Sequence, residues 1–146
     1  MDATLLYISR CTLPPTEGAE QIAELVAAAR SRNAALNLTG ALIWTGENFA
    51  QILEGPADAL DAVMADIRQD ARHTDITMLF THPIQQRRFS DWRMAYCGSA
   101  SYVDRHLAQL FGAASALNGH TEQLVTLMEE YARMSQRRDG PASEDR

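Results

Sequence analysis

The sequence predicts an α+β sandwich: one mixed five-stranded sheet with helices against both of its faces. Short runs of strand-forming residues and longer amphipathic stretches alternate in the order β-α-β-β-α-β-β. Two of the runs, 38–44 and 48–54, are separated only by Thr45-Gly46-Glu47, which has the chemistry of a hairpin turn. Two further amphipathic helices follow the last strand, and each carries an apolar stripe that needs a surface to cover.

The elements follow in order. TLLYIS (4–9) is the first strand, ended by Cys11–Thr16 with its Pro14-Pro15 pair. Thr16 can cap a helix that runs to about Asn33, with Ala19, Ile22, Leu25, Val26 and Ala29 on one stripe and Glu20, Glu24 and Arg30 opposite. The hairpin comes next. Gly55-Pro56 opens the second helix, proline being favoured in a first turn, and Leu60, Val63, Met64 and Ile67 recur at i, i+3, i+4 and i+7. Asp70–Thr74 is a polar loop. DITMLFTH (75–82) and WRMAYC (92–97) are the fourth and fifth strands, joined by the basic segment Gln85–Asp91. Ser101-Tyr102-Val103-Asp104 has capping-box spacing and starts a helix lined by Val103, Leu107, Leu110 and Phe111, with Gly112 as its stop. The last helix spans about Asn118 to Met134 and buries Leu124, Leu127, Met128 and Tyr131. The result is a ferredoxin-like βαββαββ sandwich, with the first two helices on one face and the two C-terminal helices on the other. Residues 1–98 then form the domain, 99–134 a helical extension on the sheet, and 135–146 a small, charged tail expected to be disordered.

Composition excludes several function classes. A formal charge of −6 and a pI near 5.1 argue against a nucleic-acid partner. The acidic start Met1-Asp2-Ala3 is unlike a signal peptide, and no apolar run approaches the ~18 residues of a membrane span. Cys11 and Cys97 are too few for a disulfide framework and read as free thiols in a reducing cytoplasm. His73, His82, His106 and His120 are scattered, with neither cysteine at ligand spacing, so no metal site is expected. No G-x-S-x-G, P-loop or G-x-G-x-x-G occurs.

One residue is chemically out of place. Gln51 is a primary amide among Phe49, Ala50, Ile52 and Leu53, and a buried amide without partners costs roughly 1–3 kcal/mol. Something polar must therefore lie over this strand. Alternation puts Gln51 with Phe49 and Leu53, Tyr7 with Leu5 and Ser9, and Trp92 with Met94 and Tyr96. If these sides all face the first two helices, a phenol, an amide, an indole and a thioether converge. Each alone is ordinary core; the amide still has to be satisfied. Asn33 reads as a helix cap or as a donor to a ligand. Arg72-His73 reads as a solvated helix end or a phosphate contact, and Arg87-Arg88 as a surface charge cluster or an anion contact.

Together these residues resemble the BLUF photoreceptor domains, which bind flavin and sense blue light. The matching pieces are LLYISR (5–10), RNAALNLTGALIW (32–44), FAQILEGP (49–56), DARH (70–73) and RRFSDWRM (87–94), in the family's order and spacing over about residues 4–97. The resemblance implies that Tyr7 donates an electron and a proton to the excited flavin, and that Gln51 is the switching amide between phenol and ring. It implies that Asn33, with Arg32 beside it, anchors the ring's polar edge, and that Arg72 and His73 lie near the ring and its side chain. Trp92 and Met94 become the strand-five pair that shifts when the signal forms, with either one nearer the ring. FAD is the usual cofactor and FMN the alternative. Two positions depart from the family's pattern. Asn37 stands where glycine is common, and asparagine tolerates the left-handed backbone that the turn requires. Ala50 replaces a bulkier residue, on the side that alternation turns away from the flavin.

On this reading the protein is a switch and not an enzyme. The Gln51 amide has a donor end and an acceptor end, so it can meet Tyr7 in more than one way, by rotation or as a tautomer. A dry site makes the altered pattern metastable. The change is expected to leave through strand five and Cys97 into the two C-terminal helices. From there it passes to a downstream signalling protein or into the self-association of a homo-oligomer. Two rivals predict a colourless protein: a small acylphosphatase-like enzyme using Arg72, or Arg32 with Asn33, and a ligand-free dimerisation module in which Tyr7 and Gln51 satisfy each other.

Overall fold

The computed structural model describes residues 1–14, 18–98 and 118–139. The elements are β1 (Asp2–Cys11), α1 (Gly18–Leu36), β2 (Thr39–Trp44), β3 (Asn48–Pro56), α2 (Ala57–Gln69), β4 (His73–Pro83), β5 (Ala95–Gly98) and α3 (Asn118–Asp139). The sheet runs β4-β1-β3-β2-β5, with β2 and β5 parallel and the other neighbours antiparallel. This is the mixed, five-stranded, ferredoxin-like sheet that the element order predicts.

Local chemistry accounts for the turns. Thr45 Oγ1 accepts the N–H of Glu47 at 3.3 Å and of Asn48 at 3.0 Å, while Gly46 takes φ 101°, so the hairpin closes as predicted. Asn37 takes φ 58°, the left-handed backbone expected of it, and ends α1. At Gly40 a Cβ would lie 2.0 Å from the Ile52 carbonyl oxygen, so only glycine lets β2 approach β3 there.

Alternation along the strands splits the core into two layers. Leu5, Tyr7, Leu42, Phe49 and Leu53 meet Ile22, Val26 and Ala29 of α1 and Leu60, Val63, Met64 and Ile67 of α2. Leu6, Ile8, Ala41, Ile43, Ala50 and Ile52 meet Leu124, Val125, Met128 and Ala132 of α3. Ala50 thus faces α3, and the C-terminal helix covers the face that the first two helices leave bare. Leu124 and Met128 are fully buried as expected, whereas Leu127 and Tyr131 are half-buried at the margin. The helix runs to Asp139, past the Met134 boundary and into the segment expected to be disordered. The Thr16 cap and the helix expected from Ser101 lie outside the described residues.

Strand five differs from the expectation of 92–97. It begins at Ala95, and residues 92–94 precede the ladder, with Trp92 N–H donating to the Phe89 carbonyl at 3.0 Å. Strand alternation therefore does not reach back to Trp92. Its indole joins Phe89 in the layer beneath α3, while Met94 enters the opposite layer.

The basic segment before it is held by carboxylates. Glu54, 1% exposed, accepts the backbone N–H groups of Arg88 and Phe89, both at 2.8 Å. Arg87 pairs with Asp2 at 2.8 Å, and Arg88 with Glu122 and Glu129 of α3. The arginine pair thus contacts anions of its own chain. Among the described residues no helix is long and apolar enough to cross a membrane.

Candidate functional site

Tyr7 on β1 and Gln51 on β3 are register partners, so their side chains leave the same face side by side. Both are nearly fully buried, and the Tyr7 hydroxyl donates to Gln51 Oε1. Burial pushes the phenol's pKa upward, which keeps its proton in place. Among the described residues the other end of the amide, Nε2, donates only to Met94 Sδ, at 3.7 Å. A thioether is a weak acceptor, so a buried amide donor here is poorly satisfied by the protein alone.

These groups open onto a cavity of about 240 Å³ between the sheet and α1 and α2. Leu25, Ala29, Leu42 and Phe49 form apolar wall, and Tyr7, Gln51, Arg32, Asp70, Arg72 and His73 supply its polar atoms. His73 closes one end. Its Nε2 donates to the Ile67 carbonyl at 2.8 Å, so in the neutral ring Nδ1 accepts from Ser9 Oγ at 2.7 Å. Its ring also stands 6.1 Å from that of Tyr7 and edge-on to Phe49 at 5.9 Å. At the rim, Arg72 grips Asp70 with two donors, Nε at 2.9 Å and Nη2 at 2.7 Å. That hydrogen bonding holds the Asp70 carboxyl below the usual carboxylate range.

Arg32 and Asn33 share the end of α1. Arg32 lines the cavity and donates to Asn33 Oδ1 at 3.2 and 3.3 Å, and burial pulls its guanidinium pKa down. Asn33 is fully buried but does not line the cavity. Its Nδ2 donates to the Arg93 carbonyl at 2.6 Å, so its amide ties α1 to the segment before β5.

Tyr7, Gln51, Met94, Arg32, Arg72 and His73 are thus brought together, whereas Trp92 lies on the far side of the sheet and Asn33 one layer behind the wall. Leu25 and Ala29 of the α1 stripe line the cavity together with Ala28, which the sequence does not single out; the alanine run 27–29 beside the stripe is the available signal. Asp70 reads in the sequence as part of a polar loop, although its place two residues before Arg72 is a cue to an ion pair. For an acyl phosphate the arrangement is poor. The Arg72 fork is engaged by Asp70, and Arg32 and Asn33 are bonded to each other.

A flavin fits what is present. An apolar slot admits a fused ring, the underused amide donor of Gln51 suits a ring carbonyl, and the half-buried guanidinium of Arg32 favours an electron-rich polar edge.

The comparisons agree with this chemistry. The family model for BLUF, sensors of blue-light using FAD, matches residues 3–95. The photoactivated adenylate cyclase subunit beta of Euglena longa is 39% identical over 92 residues, which are 62% of this chain and 10% of that protein. The blue light- and temperature-regulated antirepressor BluF of Escherichia coli (strain K12) is 36% identical over 89 residues, 61% of this chain and 22% of that protein. The chain therefore spans only a small part of these relatives. Among solved structures, the dark state of BlrB, a BLUF protein, superposes with a TM-score of 0.73 at 31% identity, covering 91% of this chain and 96% of that one.

Proposed function

Because the chain belongs to the BLUF family, whose members sense blue light with a flavin, we propose that Tyr7, Gln51 and Met94 are its light switch and that FAD is the flavin it holds. The observation that carries this reading is the buried phenol–amide bond at the cavity wall, with a weak acceptor behind the amide. Arg32, Arg72 and His73 would hold the polar edges and side chain of the cofactor. When bound and excited, the flavin supplies a strong oxidant next to the phenol.

Tyr7 would give up an electron together with its hydroxyl proton to that oxidant and take both back afterwards, so that the phenol ends unchanged. Gln51 Oε1 already accepts that hydrogen bond, so the amide lies on the proton's path. Once the bond is disturbed, the amide can rotate, exchanging which end faces Tyr7 and which faces Met94, or tautomerise, exchanging which end donates and which accepts. The new pattern persists because the site is dry and unmade hydrogen bonds cost more there than in water. Met94 lies directly before β5, and β2, β5 and α3 pack on one another. This supports output through β5 and α3 to a downstream protein or to a second copy of the chain. Within that scheme residues 1–98 are the sensing unit.

The test is a light-minus-dark absorption spectrum of the full chain, with the extracted cofactor identified by mass. A reversible absorbance shift with FAD recovered is expected. FAD-loaded protein with the same spectrum before and after blue light would refute the switch, and FMN recovered in place of FAD would refute the cofactor.

A further inference from the structure

Three consecutive main-chain carbonyls, those of Trp92, Arg93 and Met94, each accept a hydrogen bond from a donor elsewhere in the fold. Gly40 N–H reaches the Trp92 oxygen at 3.0 Å, Asn33 Nδ2 the Arg93 oxygen at 2.6 Å, and Arg30 Nε the Met94 oxygen at 3.1 Å. The chain bends at Arg93, before the β2–β5 ladder starts at Ala95. Two of the three donors are α1 side chains at i and i+3, which share one helix face. The segment is thus strapped to a helix that walls the cavity, and its last residue sets its sulfur against the Gln51 amide.

We infer that Arg30 is a positioning residue of the light switch: by holding the Met94 carbonyl it fixes the wall against which the Gln51 amide must turn. It thereby sets how long the altered arrangement lasts. The inference rests on the function proposed above, with rotation as the movement of the amide. Its physical basis is the one-sidedness of sulfur. A thioether only accepts, so it favours the amide's NH₂ end, and the amide oxygen turned toward it sets two acceptors face to face. In a close-packed core the return turn has to pass a side chain whose backbone cannot give way. Freeing the Met94 carbonyl lets that side chain yield. Arg30 does not itself line the cavity, so its replacement leaves the Tyr7–Gln51 pair and the lining in place.

The experiment compares Arg30→Gln and Arg30→Lys with the parent chain, each loaded with FAD and illuminated. Arg30→Gln should keep the amplitude of the absorbance shift and return to the dark spectrum about fivefold faster or more, the scale of one lost hydrogen bond. Arg30→Lys keeps the cation and should fall between the two. Leu60→Val, a core change away from the strap, serves as a control for lowered stability and should leave the return rate unchanged. A second readout needs no cofactor. In the unloaded protein, hydrogen exchange at the Gly40 amide should quicken in Arg30→Gln, because its acceptor lies in the freed segment, while Ala41–Trp44 keep their protection. A return rate within about twofold of the parent, equal acceleration in Leu60→Val, or unchanged exchange at Gly40 would each overturn the inference. A parent chain without any light response would sink the proposed function, and exchange at Gly40 would still decide the strap.

Discussion

Replacing Tyr7 with phenylalanine removes one oxygen and nothing else. The ring stays packed beside Phe49 and His73, so the change leaves no sizeable cavity. What is lost is the donor to Gln51 Oε1, in an amide only 4% exposed. A buried acceptor left without a donor costs roughly 1–3 kcal/mol, and relief of the phenol's own desolvation offsets part of that. The net cost should therefore lie at the low end, about 1 kcal/mol, which lowers the melting temperature by roughly 2–4 °C for a chain of this size. Thermal unfolding of the unloaded protein, followed by circular dichroism, measures it. In the loaded protein the flavin should stay bound, because the cavity's shape and its arginines are untouched, while the light-induced shift disappears with the phenolic proton. A Tyr7→Phe protein that photocycles like the parent would refute the donor assignment, however large its stability change.

Gln51→Leu keeps bulk and removes both hydrogen-bonding ends, so it should bind flavin and show no absorbance shift; a normal shift would show that the amide is not the moving part. Gly40→Ala should cost at least about 3 kcal/mol, since its Cβ would lie 2.0 Å from backbone that is locked into the β2–β3 ladder, and denaturant titration would read the loss. Asp70→Asn tests the rim. The folded-state pKa of Asp70 is depressed, so its contribution is present above the unfolded value near 3.9 and is lost as pH falls through the folded one. The parent should thus exceed Asp70→Asn in stability at neutral pH, by less than about 1 kcal/mol for so exposed a pair, with the gap closing in acid. A gap that widens as pH falls would contradict the pairing with Arg72.

What could be read from the chain alone was whatever rests on short-range chemistry and on the two-residue period of a strand. The hairpin at Thr45–Asn48 and the left-handed turn at Asn37 depend on neighbours in sequence. The meeting of Tyr7 with Gln51 needed only the face each occupies on a paired strand. The family pattern, carried by five short motifs in register, extended that local reading to a flavin and to blue light.

Three things were decided by the tertiary structure. Trp92 went to the α3 side because the strand that was to carry it starts later, at Ala95, and a bend has no two-residue period to extrapolate. Asn33 and Arg30 found their acceptors some 60 residues away, at Arg93 and Met94, which helix periodicity cannot indicate. The arginines at 87 and 88 were matched to Asp2, Glu122 and Glu129 across the fold. Apolar faces announce themselves by repetition, whereas a polar side chain commits to whichever partner the completed packing brings within hydrogen-bonding distance.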